Sequence, residues 1–104
     1  MINAEELGLK PTDIERIQTV LKNHQFVEQV IIYGSRAKGN YKPYSDIDIT
    51  LVGPKIDLTL QNKIENDLDD LLLPYKFDVS VYHKILNKDL VDHINRIGKI
   101  IFSR

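Results

Sequence analysis

The sequence contains no cysteine, so it supports neither a disulfide framework nor thiolate chemistry. Long apolar runs are also missing, and no stretch approaches the roughly 20 residues of a membrane-spanning helix. The opening Met1-Ile2-Asn3-Ala4-Glu5-Glu6 is acidic and lacks the apolar segment of a secretion signal. A cytoplasmic protein without a membrane partner is expected. Excess charge of one sign is absent too: 14 Lys and Arg stand against 15 Asp and Glu, a net charge of −1. No overall basic field invites bulk nucleic acid, and direct nucleic-acid binding is not expected. Repeats, low-complexity tracts and linkers do not occur. His24, His83 and His93 show no metal-ligand spacing and read as surface or helix-end residues.

What remains is 104 residues, 42% hydrophobic and 28% charged, the make-up of an ordinary globular protein. That length fits a single domain over residues 1–104 with one core. Thr12 and Glu15 have capping-box spacing before Ile14, Ile17, Val20 and Leu21, which predicts a helix over 12–23. A β-branched run over 27–33 ends at Gly34 and predicts a strand. Residues 46–52 alternate, with Ile47, Ile49 and Leu51 on one side and Asp46, Asp48 and Thr50 on the other. A helix follows over 57–73, stopped by Pro74. Residues 76–83 alternate again, with Asp78 on the polar side; a helix over 87–96 and an edge strand over 99–102 complete the chain. About a dozen residues link the first two strands, too few for a parallel crossover helix, so these should pair antiparallel. The expected fold is α/β (α+β): a mixed, largely antiparallel four-stranded sheet with helices packed on one face and aspartates on the other.

The chemistry concentrates in one segment. Ten residues separate Gly34-Ser35 from Asp46-Ile47-Asp48. Residues two apart on a strand share a side, with α-carbons about 6.5 Å apart, so Asp46 and Asp48 aim at one patch. Unpaired, they raise each other's pKa; a hard divalent ion, Mg²⁺ or Mn²⁺, removes that conflict. Should the third strand lie beside the second, Asp78 joins them, and three carboxylates are enough to hold two ions. On the phosphate side, Gly34 lets the backbone approach a ligand. Ser35 stands where a strand ends and a short helix begins, a place suited to phosphate oxygens. Arg36, Lys38 and Lys42 make residues 34–45 a +3 segment, with Arg36 and Lys42 as candidate phosphate contacts. Other motifs fail. After Gly34 and Gly39 a P-loop needs Lys-Ser or Lys-Thr, and Asn40-Tyr41 follows. An EF-hand loop starting at Asp46 needs Gly at Leu51 and Glu at Asp57.

Gly34-Ser35, ten residues, then Asp46-x-Asp48 resembles the signature of the DNA polymerase beta-like nucleotidyltransferases, and within them the minimal nucleotidyltransferases. The resemblance covers about residues 27–82. It implies a polymerase beta-like palm, Mg²⁺ at Asp46 and Asp48 (two ions, with Mn²⁺ as a substitute), Asp78 as the third acid, and Ser35 on the phosphates of ATP. Many minimal members are antitoxins beside a helical HEPN ribonuclease toxin, and some inactivate it by moving AMP from ATP onto a tyrosine. The resemblance thus implies a HEPN-type partner and an acceptor hydroxyl outside this chain. About 75 residues are taken up by the catalytic sheet and its helices, which leaves no room for an acceptor domain. Two alternatives stand beside this reading: an antitoxin that neutralises its partner by binding alone, and an adenylyltransferase acting on a small molecule. The edge strand at 99–102 leaves homo- or hetero-oligomers open.

Overall fold

The computed structural model describes residues 2–104. A short 3-10 turn over Ala4–Leu7 leads into α1 (Pro11–Lys22). The chain continues through β1 (Gln29–Tyr33), α2 (Gly34–Lys38), β2 (Ile47–Val52), α3 (Leu58–Asp69), β3 (Phe77–Val81), α4 (Lys88–Ile97) and β4 (Lys99–Ser103). The strands form one sheet in the order β3-β2-β1-β4. β1 pairs antiparallel with β2 and with β4, whereas β2 and β3 run parallel across the α3 crossover. This is the expected mixed sheet.

Alternation in the strands builds the core. Val30 and Ile32 of β1, Ile47, Ile49 and Leu51 of β2, Phe77, Val79 and Val81 of β3 and Ile101 of β4 form one buried cluster. Ile14, Ile17 and Leu21 of α1 and Ile64 and Leu68 of α3 close over it, each helix presenting a stripe at three- and four-residue spacing. α1 starts differently from the expected capping box. Pro11 occupies its first turn, and Asp13 accepts the Lys10 backbone N–H at 3.1 Å, so Thr12 lies inside the helix. Asp57 caps α3 through Leu60 N–H at 2.8 Å, and Asn87 caps α4 through Asp89 and Leu90 N–H. His24, just beyond α1, is nearly covered and meets Asp67 of α3 at 2.9 Å, so Asp67 ties two helices together.

Helices on one face alone is corrected by α4. It packs against the opposite face of β1: His93 stands edge-on to the Tyr33 ring, and Gly98 lies so close to Ile31 that a Cβ there would meet its Cγ2 at 2.6 Å. The cause is the apolar side of α4 around Ile94, which is buried outside the main cluster. The outward Ile31 and Tyr33 of β1 meet this helix at Gly98 and His93. No helix is long and apolar enough to cross a membrane among the described residues.

Candidate active site

The site forms where three strand ends meet. Register places Tyr33 of β1 opposite Asp48 of β2, and Asp48 beside Asp78 of β3. Because partners across a ladder share a face, Tyr33, Asp48 and Asp78 project from the same side. Asp46 lies just before β2, and the Ile47 N–H donates to Lys76 O at 2.8 Å, tying the entries of the two acid-bearing strands together. Asp46 and Asp78 are exposed and Asp48 is half-buried.

Electrostatics follow from this packing. Burial, then the nearby charges of Asp78 and Asp46, push the Asp48 carboxyl up to about 6, against a small opposing pull from Arg36. Tyr33 is also pushed up, first by burial and then by Asp78 and Asp48, while its hydrogen bond to Ser80 opposes the shift. Negative charge is thus concentrated on a spot that disfavours it. An all-oxygen, acidic donor set suits a hard divalent ion, which would relieve the strain on Asp48. Among the described residues no group of three or more histidine, aspartate or glutamate side chains stands where it could hold a metal ion as placed. Asp46 and Asp78 are exposed, so neighbouring side chains leave them room to turn toward an ion.

Gly34 and Ser35 open α2 directly beside Asp48. Gly34 has φ +71°, and a Cβ on it would overlap the Asp48 carboxylate. Glycine is therefore required twice over, by backbone conformation and by room. Ser35 is the next residue and is half-buried at the start of the turn. Its carbonyl accepts the Gly39 and Asn40 N–H groups, closing the five-residue helix.

Arg36 is a correction. It was expected to reach phosphate, but it is fully buried. Its guanidinium donates to the carbonyls of Ser45, Leu7, Gly8 and Pro43 and stacks on Tyr75 and Tyr41. With its donors committed to the backbone, it has none left for a phosphate. The reason is the surrounding carbonyls of Leu7, Gly8, Pro43 and Ser45, which close around the guanidinium from separate parts of the chain. Lys42 and Lys38 are exposed. Lys42 lies in the turn before Asp46, where its N–H donates to Ser45 Oγ at 2.8 Å.

Two neighbours were not singled out from sequence. Tyr33 lies against Asp48 and contacts Ser80 Oγ at 3.4 Å. His93 accepts the Gly34 N–H on Nε2 at 3.2 Å, holding the glycine turn from α4. Its position three residues beyond Leu90 put it on the inward side of that helix, a signal that metal-ligand spacing could not reveal.

Residues 15–104 match the family described as Polymerase beta, Nucleotidyltransferase. The chain belongs to that nucleotidyltransferase family. It is 25% identical over 80 residues to a Haemophilus influenzae protein named "Probable protein adenylyltransferase MntA", covering 76% of this chain and 70% of the relative. Its fold resembles a crystal structure of a toxin–antitoxin complex with AMP-PNP, with TM-score 0.73, 18% identity, and 88% of this chain and 73% of the other covered. It also resembles a structure of the tri-AMPylated Shewanella oneidensis HEPN toxin with its MNT antitoxin, with TM-score 0.67, 17% identity, and coverage of 89% and 71%. The architecture of a nucleotidyltransferase palm is therefore shared.

Proposed function

We propose that this nucleotidyltransferase moves AMP from ATP to a hydroxyl, on a tyrosine, of a HEPN-type toxin, and so acts as its antitoxin. The single observation that carries the proposal is the side-by-side placement of Asp48 and Asp78, with the Gly34 turn pressed against Asp48. The MntA relative and the AMPylated toxin complex support the choice of nucleotide and acceptor.

Asp46, Asp48 and Asp78 are the residues that would hold Mg²⁺, with Mn²⁺ as a substitute. The ion would supply charge neutralisation for the triphosphate and lower the pKa of the attacking hydroxyl. Gly34 and Ser35 hold the phosphate tail beside these acids, with the Ser35 hydroxyl donating to a phosphate oxygen. The acceptor oxygen forms a bond to the α-phosphorus as the bond to the β-phosphate oxygen breaks. Pyrophosphate leaves, and Asp78, an exposed acid on the neighbouring strand, takes the hydroxyl proton. Positioning and charge stabilisation account for most of the rate in such transfers.

Intact-mass spectrometry of a tyrosine-bearing HEPN toxin, incubated with this protein, ATP and Mg²⁺, tests the proposal. A mass increment of one AMP is expected. Asp46→Asn and Asp48→Asn should each lower transfer by about three orders of magnitude, the scale of losing a strong electrostatic contact in the transition state. Undiminished addition by the double variant would sink the assignment. Toxin neutralisation by the double variant, without AMP addition, would favour an antitoxin that works by binding alone.

A further inference from the structure

Arg36 is the only fully buried charged residue among the described residues, and it has no carboxylate partner within ion-pair distance. A buried charge held by neutral groups alone is costly and invites the question of what it holds in place. Nε and an Nη of Arg36 donate to the same carbonyl, Ser45 O, at 3.1 and 2.7 Å. Ser45 is the residue before Asp46. The other Nη donates to Leu7 O at 2.9 Å and Gly8 O at 3.1 Å, anchoring the plane from behind. One face of the guanidinium lies over the Tyr75 ring, 4.7 Å from its centre. Tyr75 precedes Lys76, the carbonyl that receives Ile47 N–H, and stands three residues before Asp78. Arg36 itself follows Ser35 in the chain.

One planar cation thus links the segments leading to Ser35, Asp46 and Asp78. Burial pushes its pKa down, while Tyr75, Tyr41, Asp13 and Asp46 oppose that shift. We propose that Arg36 is a positioning residue, a brace that fixes Asp46 relative to Asp48 and Asp78 and thereby sets the protein's affinity for a divalent ion. This rests on the transferase reading above and deepens it. A rigid fork is needed because two donors must meet one carbonyl while two others reach a different segment; an ammonium cannot span that set.

The test is Mn²⁺ binding to the full chain, without nucleotide, by calorimetry or electron paramagnetic resonance. Groups that orient metal ligands from behind typically change metal affinity by about 10- to 100-fold when replaced. Arg36→Lys is expected to bind Mn²⁺ about tenfold more weakly. Tyr75→Leu, which removes the stacking shelf and leaves the arginine donors, is expected to weaken it by a smaller factor. AMP-PNP affinity at saturating Mn²⁺ should stay at the wild-type value in both. Ile64→Val, a destabilising core change on α3 at a residue that is neither a hydrogen-bond nor a stacking partner of Arg36, should keep wild-type Mn²⁺ affinity, separating positioning from loss of stability. Wild-type Mn²⁺ affinity in folded Arg36→Lys overturns the inference, and if that variant does not fold, wild-type affinity in Tyr75→Leu does so. Weakened AMP-PNP binding at saturating Mn²⁺ overturns it in favour of a phosphate contact. Wild-type protein whose Mn²⁺ binding ignores Asp46→Asn and Asp48→Asn overturns the transferase reading itself, and the brace with it.

Discussion

The two faces of the sheet come from the same strands and obey different rules. On one, Ile47, Ile49, Leu51, Phe77, Val79 and Val81 meet α1 and α3 in a continuous apolar cluster. On the other, Asp48, Asp78, Tyr33 and Ser80 gather under partial cover from α4, and the buried Thr50 hydroxyl has no protein partner. The first face stabilises the fold; the second carries like charges that the fold alone disfavours. A β-ladder makes this division possible because neighbouring residues point to opposite sides. Stability and chemistry can therefore be altered almost independently at adjacent positions.

Adjacent substitutions break the comparison most sharply. Ile49→Ala removes a fully buried side chain and is expected to cost about 2–5 kcal/mol, read as a large drop in melting temperature. Asp48→Asn, one residue away, should leave the metal-free melting temperature unchanged or raise it while transfer is lost. Equal destabilisation by both would erase the distinction between the faces.

Gly34→Ala tests the seam between them. It places a side chain at φ +71° and against the Asp48 carboxylate, with an expected cost of about 1–3 kcal/mol. Thermal unfolding gives the stability loss, and transfer assays should show a larger fall than an equally destabilising core change.

The smallest effect concerns pH. Burial and the nearby acids push the Asp48 carboxyl up to about 6 in the folded protein, above the roughly 3.9 of an unfolded Asp. Between those values the folded state binds the extra proton, so this group favours folding at low pH, and that contribution is lost as pH rises through about 6. Metal-free wild type should thus lose several degrees relative to Asp48→Asn between pH 4 and pH 7, at about 4–8 °C per kcal/mol. Added Mg²⁺ should reduce the difference, and parallel pH profiles would contradict the assigned environment of Asp48.

Much of this division was legible before folding. Alternation over 46–52 and 76–83 separated the two faces, and the gap of ten residues between Gly34-Ser35 and Asp46 marked the chemistry. The short link between β1 and β2 predicted their antiparallel pairing, which the register bears out. Arg36 was misread because its charge is local information, whereas its burial depends on Leu7, Gly8, Ser45 and Tyr75 arriving from distant parts of the chain. His93 was passed over for the same reason: its partner is a backbone N–H 59 residues away.

The sequence by itself determined which residues could be buried, which could bear charge together and where the glycine turn had to fall. Those properties follow from side-chain chemistry and strand periodicity, which are written locally. Only the tertiary structure decided that Asp78 stands beside Asp48, that α4 packs on the acid-bearing face at Tyr33 and that Arg36 turns inward. Such choices are settled by competition among long-range contacts for the same space, and no single segment carries that information.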